Sequence, residues 1–319
     1  MATIETKSDK DKLAQPEKTN YGSEREETTK SLEEVYSMVG VGRAQFVYWA
    51  LLAVTCYFDM AEMVVISTIV PILRCEWQLD IWWETLINVT GYFFSALGGA
   101  VFAKLPDIYG RKRMLTITLI LLFLATSASA MAQTKTQFLV MRIAAGLCMG
   151  LPFAICVTFS AEVVKSSHRE IGPMLVFFFA NLSIFLSAVF AYLSLKRLGW
   201  RWFVFLNALP ILVLVILLLT ILPESPRYLV VSNRKKDANE AVARMARLND
   251  VTLPEKLNIV VHCDQKLGVM SEILKSTNRK ETILLSTMYF GNLIIVLGTI
   301  VFVPLALYSG FCGGARRAT

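Results

Sequence analysis

Charge is scarce in this chain: 18% of its 319 residues are Asp, Glu, Lys or Arg, and only two are histidine. A soluble globular domain carries closer to about 25% charge, so a water-facing shell around one core is excluded for most of the length. The two histidines, His168 and His262, have no metal-ligand partners at fitting spacing and read as solvated. Six cysteines (Cys56, Cys75, Cys148, Cys156, Cys263, Cys312) are scattered without a CxxC pair, so neither a disulfide framework nor a zinc site is indicated. A nucleophile with its base, a metal cluster and a phosphate loop are all lacking, which sets aside an enzyme and any cofactor. No apolar core with a cleavage site follows a basic start, so the first residues are not a signal peptide.

What is abundant is apolar surface, at 55% of residues and a mean hydropathy of +0.53. Stretches long enough to cross a bilayer, about 20 residues each, fall at 45–73, 84–103, 114–133, 137–161, 172–195, 202–222 and 281–308. The expectation is an all-α membrane protein, with a six-span bundle over 45–222 and a seventh span at 281–308. Residues 1–44 are polar, with nine acids against seven bases, and are expected to be a disordered tail. The loop 223–280 places Ala238, Ala241, Val242, Met245 and Leu248 at helical spacing among Lys235, Lys236, Arg244 and Arg247. That pattern predicts a short amphipathic helix, read as a solvated or interface-lying connector. Residues 309–319 form a short tail.

The formal charge of +7 does not indicate nucleic acid, because the bases sit in the short connections between spans rather than on one folded face. They follow the rule that Lys and Arg collect on the cytoplasmic side. Lys104, Arg111, Lys112, Arg113, Lys165, Arg169 and eleven bases over 227–280 lie on one side. Only Arg74, Lys135, Lys196, Arg197 and Arg201 lie on the other. The N-terminus is therefore expected in the cytosol and the tail after span seven outside, the reverse of a seven-helix receptor.

Within the first span, the stretch CYFDMAEMVV (56–65) holds two acids, Asp59 and Glu62. Counting about 1.5 Å per helical residue from Phe46, Asp59 lies roughly 20 Å into a core of about 30 Å. A central Asp costs about 2.5–3.5 kcal/mol on translocon scales, and such residues usually face a bundle interior or watery cavity. Arg142, six residues past Thr136 on a span running inward, lies roughly 9 Å below the outer surface, at a matching depth. Asp59, Glu62 and Arg142 are expected to share a cavity, with one carboxylate in surplus to bind a proton or a cationic group. Gly146 and Gly150 follow Arg142 at four-residue spacing, a pattern of close helix packing. The glycosylation patterns at Asn88-Val-Thr90 and Asn181-Leu-Ser183 begin or lie within spans and are expected to stay unmodified.

After span two comes AKLPDIYGRKR (103–113). Asp107 at a helix mouth suits backbone N–H groups at the positive end of a neighbouring helix. Gly110 permits a tight turn, and Arg111 suits a forked pair with a carboxylate on another span. The stretch resembles the G-x-L-x-D-x-x-G-R-[RK] loop of the major facilitator superfamily, in its expected place between spans two and three. LPESPRYL (222–229) and LGWRW (198–202) resemble the flanks of span six in the sugar-porter and organic-ion-transporter branches. With DMAEM in span one and RCEW at 74–77, the order is most similar to the vesicle-protein branch. Ala103 stands where the motif usually has Gly.

The resemblance implies the N-terminal six-helix bundle of that fold plus a seventh span, in a sequence truncated relative to the twelve-span pattern. It implies alternating-access secondary transport of a small organic solute, a cationic one among the candidates, with a proton as co-substrate, in a vesicle or plasma membrane. By the same resemblance Asp107, Gly110, Arg111, Glu162, Glu224 and Arg227 form a cytosolic conformational latch. Its implied partners are the bilayer and the solute, with no nucleic acid. The alternative is a half-length protein that does not transport and instead binds or interferes with a full-length relative.

Overall fold

The computed structural model describes residues 28–254 and 257–260, and then 279–284, 286–288, 290, 291, 294 and 298. Among them, six helices are long and apolar enough to cross a membrane. The predicted seventh span, 281–308, lies largely outside the described residues.

The order of elements follows from local chemistry. Strand β1 (Thr28–Ser31) runs into helix α1 (Leu32–Val39), started by a reciprocal Ser31–Glu34 capping box. Helix α2 (Arg43–Trp77) is the first span, and Gln78 closes it in a left-handed conformation. Asp80 then caps α3 (Ile81–Phe102), its carboxylate accepting from the Ile81 N–H at 2.8 Å. The short α4 (Leu105–Tyr109) ends at Gly110, whose φ of 103° admits no side chain without strain. From there α5 (Arg111–Ala130) is the third span. The fourth breaks into α6 (Lys135–Met149) and α7 (Pro152–Glu162), with Pro152 at the first turn of the second piece. Spans five and six form α8 (Ile171–Ile221), joined through Gly199 as the non-helical residue between them. Two further helices follow, α9 (Pro226–Val231) and α10 (Lys235–Leu248), before strand β2 (Leu257–Val260).

Helices α3 and α6 meet backbone to backbone. A Cβ on Gly98 would collide with the Leu147 carbonyl oxygen, and one on Gly150 with that of Ser95. The spacing of Gly146 and Gly150 thus serves the close approach that small residues permit. Among the described residues the apolar core falls into three clusters, a small one of Leu229, Ala238 and Ala241 and two larger ones that share α2. Of the larger two, one runs through Leu51, Leu52, Cys56 and Met63 of α2, the other through Val65, Ile66, Ile69, Val70 and Leu73. Asp59 and Glu62 lie on α2 close to where the two meet.

Two expectations need correcting. Residues 28–44 are not a disordered tail: β1 pairs in parallel with β2, Thr28 opposite Leu257, and α1 buries Leu32, Val35, Tyr36 and Val39. The capping box and that apolar spacing order a stretch whose composition alone reads as disordered. The amphipathic α10 is not a free connector either. Its Ala238, Ala241, Val242, Met245 and Ala246 are buried, Val242, Met245 and Ala246 in the same core cluster as α1. An apolar stripe that finds a protein partner has no need of the membrane surface.

Candidate functional site

Inside the bundle, α2 carries both acids, and α6 brings Arg142 to one of them. Glu62 and Arg142 are wholly buried and form an ion pair at 2.5 Å. Further bonds support the pair: Thr126 donates to Glu62 at 3.0 Å, Asn207 donates to it at 3.4 Å, and Arg142 donates to Ser129 Oγ at 2.9 Å, while Arg142 Nε is left without a partner among the described residues. The guanidinium also lies 5.1 Å from the centre of the Phe138 ring, a cation–π distance. Buried ion pairs hold only when such further bonds offset desolvation.

Asp59 differs. It too is wholly buried, and neither of its carboxylate oxygens has a hydrogen-bond partner among the described residues. Thus the three residues do gather at one level, but only two of them bond. All three lie inside the six-helix unit, 0% exposed, rather than on an open wall. Thr126, Ser129 and Asn207 were not singled out from the sequence, because Ser and Thr in membrane helices most often bond their own backbone. Asn207 in an otherwise apolar sixth span was the one available signal. Two cavities of about 790 and 580 Å³ lie elsewhere, one lined by residues of the 166–181 stretch and the other by Ser127–Gln133 side chains with Arg201, Trp202 and Phe205.

At the face bearing α1, α4, α9 and α10, the second predicted group is brought together. Arg111 pairs with Asp107 at 3.3 Å and with Glu162. Ser225 Oγ donates to Glu162 at 2.7 Å, and the Tyr36 hydroxyl donates to the Glu162 carbonyl oxygen at 2.7 Å. Glu224 accepts from the Lys112 N–H at 2.9 Å and the Ser225 N–H at 3.1 Å. A Cβ on Gly110 would come 2.5 Å from Glu224 Oε2, so the missing side chain makes room for that acid. Arg227 is close enough for its charge to act on Glu33 and on Tyr36.

The acid at the positive end of a helix is therefore Glu224, not Asp107. Asp107 lies one turn before Arg111, remains 65% exposed and turns to that side chain. The chain leaving α8 delivers Glu224 onto the first turn of α5 instead, where the helix dipole favours a carboxylate. Tyr36 and Ser225 were missed, since a hydroxyl in a polar segment carries no contrast.

Besides Tyr36 and its buried apolar face, helix α1 is tied here by a carboxylate. Glu33 accepts from the Ser166 N–H at 3.1 Å, from the Ser166 hydroxyl at 2.5 Å and from Arg169 at 3.2 Å. Partial burial pushes the Glu33 carboxyl up, but the Ser166 bonds and the Arg169 and Arg227 charges outweigh it and hold the group below its ordinary value. Burial and the nearby Glu162 charge push the Tyr36 hydroxyl well above the usual tyrosine range. On the other side of α1, the Asn249 side chain accepts from the Ala44 N–H at 2.8 Å and donates to the Val39 carbonyl at 3.2 Å.

Comparison with known proteins identifies the family and the fold. The family model described as sugar (and other) transporter matches residues 78–306. The chain is 27% identical over 288 residues to the synaptic vesicle 2-related protein of Pongo abelii, covering 90% of this chain and 52% of that protein. It is 24% identical over 307 residues to organic cation/carnitine transporter 7 of Arabidopsis thaliana, covering 85% of this chain and 61% of that one. The chain thus spans about half the length of the curated relatives it matches. Among solved structures, the xylose transporter XylE from E. coli in a partially occluded inward-open conformation is similar in fold. The TM-score is 0.55 at 21% identity, over 66% of this chain and 55% of that one.

Proposed function

Because the chain belongs to the sugar (and other) transporter family, we propose that it serves secondary transport of a small organic solute by alternating access, with Asp59 as the group that takes up a proton or a cationic group. It is a multi-pass membrane protein, and the face with α1, α4, α9 and α10 is assigned to the cytosol by its excess of Lys and Arg. One observation carries the reading: Asp59 is buried with no hydrogen-bond partner among the described residues, while Glu62 beside it is bonded by Arg142, Thr126 and Asn207. A membrane-buried carboxylate without a partner is costly to keep ionised, so it favours binding a positive charge. Proton uptake in one state and release in another would couple it to rocking of the bundle. The Asp107–Arg111–Glu162–Ser225 chain and the Glu224 cap support a latch role, since they join the ends of spans two, three, four and six on one face.

Reconstitution into liposomes with an imposed pH gradient, and tetraethylammonium as the organic-cation probe, tests this reading. Asp59→Asn is expected to abolish the pH-dependent part of uptake. Unchanged uptake with unchanged pH dependence in that variant overturns the role of Asp59.

The second reading is a chain that acts by association with a longer relative. It is favoured by α3, where Trp82, Leu86, Val89, Phe93, Leu97 and Val101 form an exposed apolar stripe at helical spacing. Lipid covers such a stripe on a spanning helix by default, and a second bundle is the alternative cover. Val89→Cys, co-expressed with a full-length relative carrying cysteines on its own spans, is expected to yield an adduct of the combined mass, and recovery of monomer alone counts against association.

A further inference from the structure

The anchor of α1 lies outside the intramembrane network and is not needed to explain it. Three donors converge on Glu33: the Ser166 hydroxyl, the Ser166 N–H and Arg169. Two of them come from one serine on an exposed turn, where Lys165, Ser166, Ser167 and His168 are all solvent-accessible. Glu33 and Arg169 are themselves 46% and 35% exposed, and an ion pair so placed contributes little alone. At Glu33 the polar part of the hold on α1 therefore depends on the serine supplying donors that face the carboxylate, beside the Tyr36 bond and the buried apolar face of the helix.

We propose that Ser166 is a phosphorylation site that releases α1 from the bundle. A protein kinase transfers the γ-phosphoryl group of ATP to Ser166: the bond from Oγ to phosphorus forms, the bond to ADP breaks, and the hydroxyl proton leaves. The product replaces a hydroxyl donor 2.5 Å from Glu33 Oε1 with a group of about two negative charges and no proton to share. Repulsion expels Glu33, and Arg169, three residues away on the same turn, exchanges the carboxylate for the stronger phosphate acceptor. The cationic neighbours Lys165 and Arg169 suit a kinase that reads basic peptides.

The release has a path to the latch. Tyr36, one turn after Glu33 on α1, donates to the carbonyl of Glu162, whose carboxylate pairs with Arg111 and Ser225. Withdrawal of α1 uncovers that residue. The proposal rests on the cytosolic assignment of this face, since ATP is available there.

Hydrogen exchange of residues 32–39 in the full chain, reconstituted in nanodiscs, reads the clasp directly. Phosphorylation by a basophilic serine kinase, located at Ser166 by mass spectrometry, is expected to speed exchange by about tenfold, as is Ser166→Glu. Ser166→Ala, which keeps the N–H donor and Arg169, is expected to change it much less. The double variant Glu33→Lys with Ser166→Glu, which restores opposite charges, is expected to recover protection, which a general folding defect would not do. Equal exchange in wild type and Ser166→Glu, or equal loss in Ser166→Ala and Ser166→Glu, overturns the proposal. Labelling of Ser167→Cys in intact cells separates the two readings. A membrane-impermeant maleimide that reacts from outside overturns the cytosolic assignment and the modification with it, whereas protection in intact cells with labelling once digitonin opens the plasma membrane alone supports both.

Discussion

Glu62 and Arg142, 80 residues apart in sequence, close a wholly buried ion pair at 2.5 Å, and Asp59, one helical turn from Glu62, takes no part in it. The two acids of the first span thus have different work. One is a fixed structural partner; the other is a free carboxylate held in an apolar place.

That difference predicts opposite stability effects. Removing one member of a buried pair leaves an uncompensated charge and costs about 3–5 kcal/mol, so Glu62→Gln and Arg142→Met are both expected to lower the melting temperature in detergent sharply. Asp59→Asn removes a group with no hydrogen-bond partner among the described residues and is expected to leave the melting temperature unchanged or raise it. Thermal unfolding of the three variants checks the order, and a fall for Asp59→Asn as large as for Glu62→Gln would contradict it.

Gly110 has a φ of 103° and sits against Glu224 Oε2. Holding any other residue in such a conformation costs on the order of 1–3 kcal/mol. Gly110→Ala is expected to destabilise the protein by at least about 1 kcal/mol and to loosen the first turn of α5, seen as faster exchange at the Lys112 amide.

Asn249 links the end of α10 to the start of α2 through Ala44, Val39 and Gln45, whose Oε1 accepts at 2.9 Å. Asn249→Ala leaves the Ala44 N–H without the Asn249 acceptor, while Gln45 Oε1 keeps the Gly42 N–H as donor, and each buried orphan costs about 1–3 kcal/mol. Exchange in residues 39–46 is expected to rise, with little change at the Glu62–Arg142 pair, since the two regions share no side chains.

The clasp at Glu33 is also expected to depend on acidity. Its folded pKa lies below the ordinary value of 4.5, so the stability it contributes is fully present above pH 4.5 and is lost as pH falls through the lower folded value. Pepsin cleavage near α1 should accelerate over that acid window in the wild type. In Glu33→Gln the corresponding step should vanish.

Hydropathy was enough to find the six described spans, because runs of about 20 apolar residues have no other common explanation. Asp59, Glu62 and Arg142 were legible for the complementary reason that each breaks such a run. The pairing was not: which acid meets Arg142 depends on the rotation of α2 about its axis, and residues three apart do not settle that. The ribbon of β1 and β2 escaped detection because each strand is four residues long, β1 wholly polar and β2 mainly apolar, too short for an alternation to be read. The Glu224 cap escaped because its partner is a backbone N–H, which every residue has. In contrast, Gly110 was legible as a turn, since the glycine itself is the signal.

Gly199 has a consequence for how the chain enters the bilayer. Spans five and six are joined with a single non-helical residue between them, so there is no slack by which one could be threaded before the other is positioned. They are expected to enter the bilayer together as a helical hairpin. Epitope tags or protease sites that longer connections would accommodate have no room at that bend, and lengthening it would let the sixth span slide along the fifth, carrying Asn207 away from Glu62.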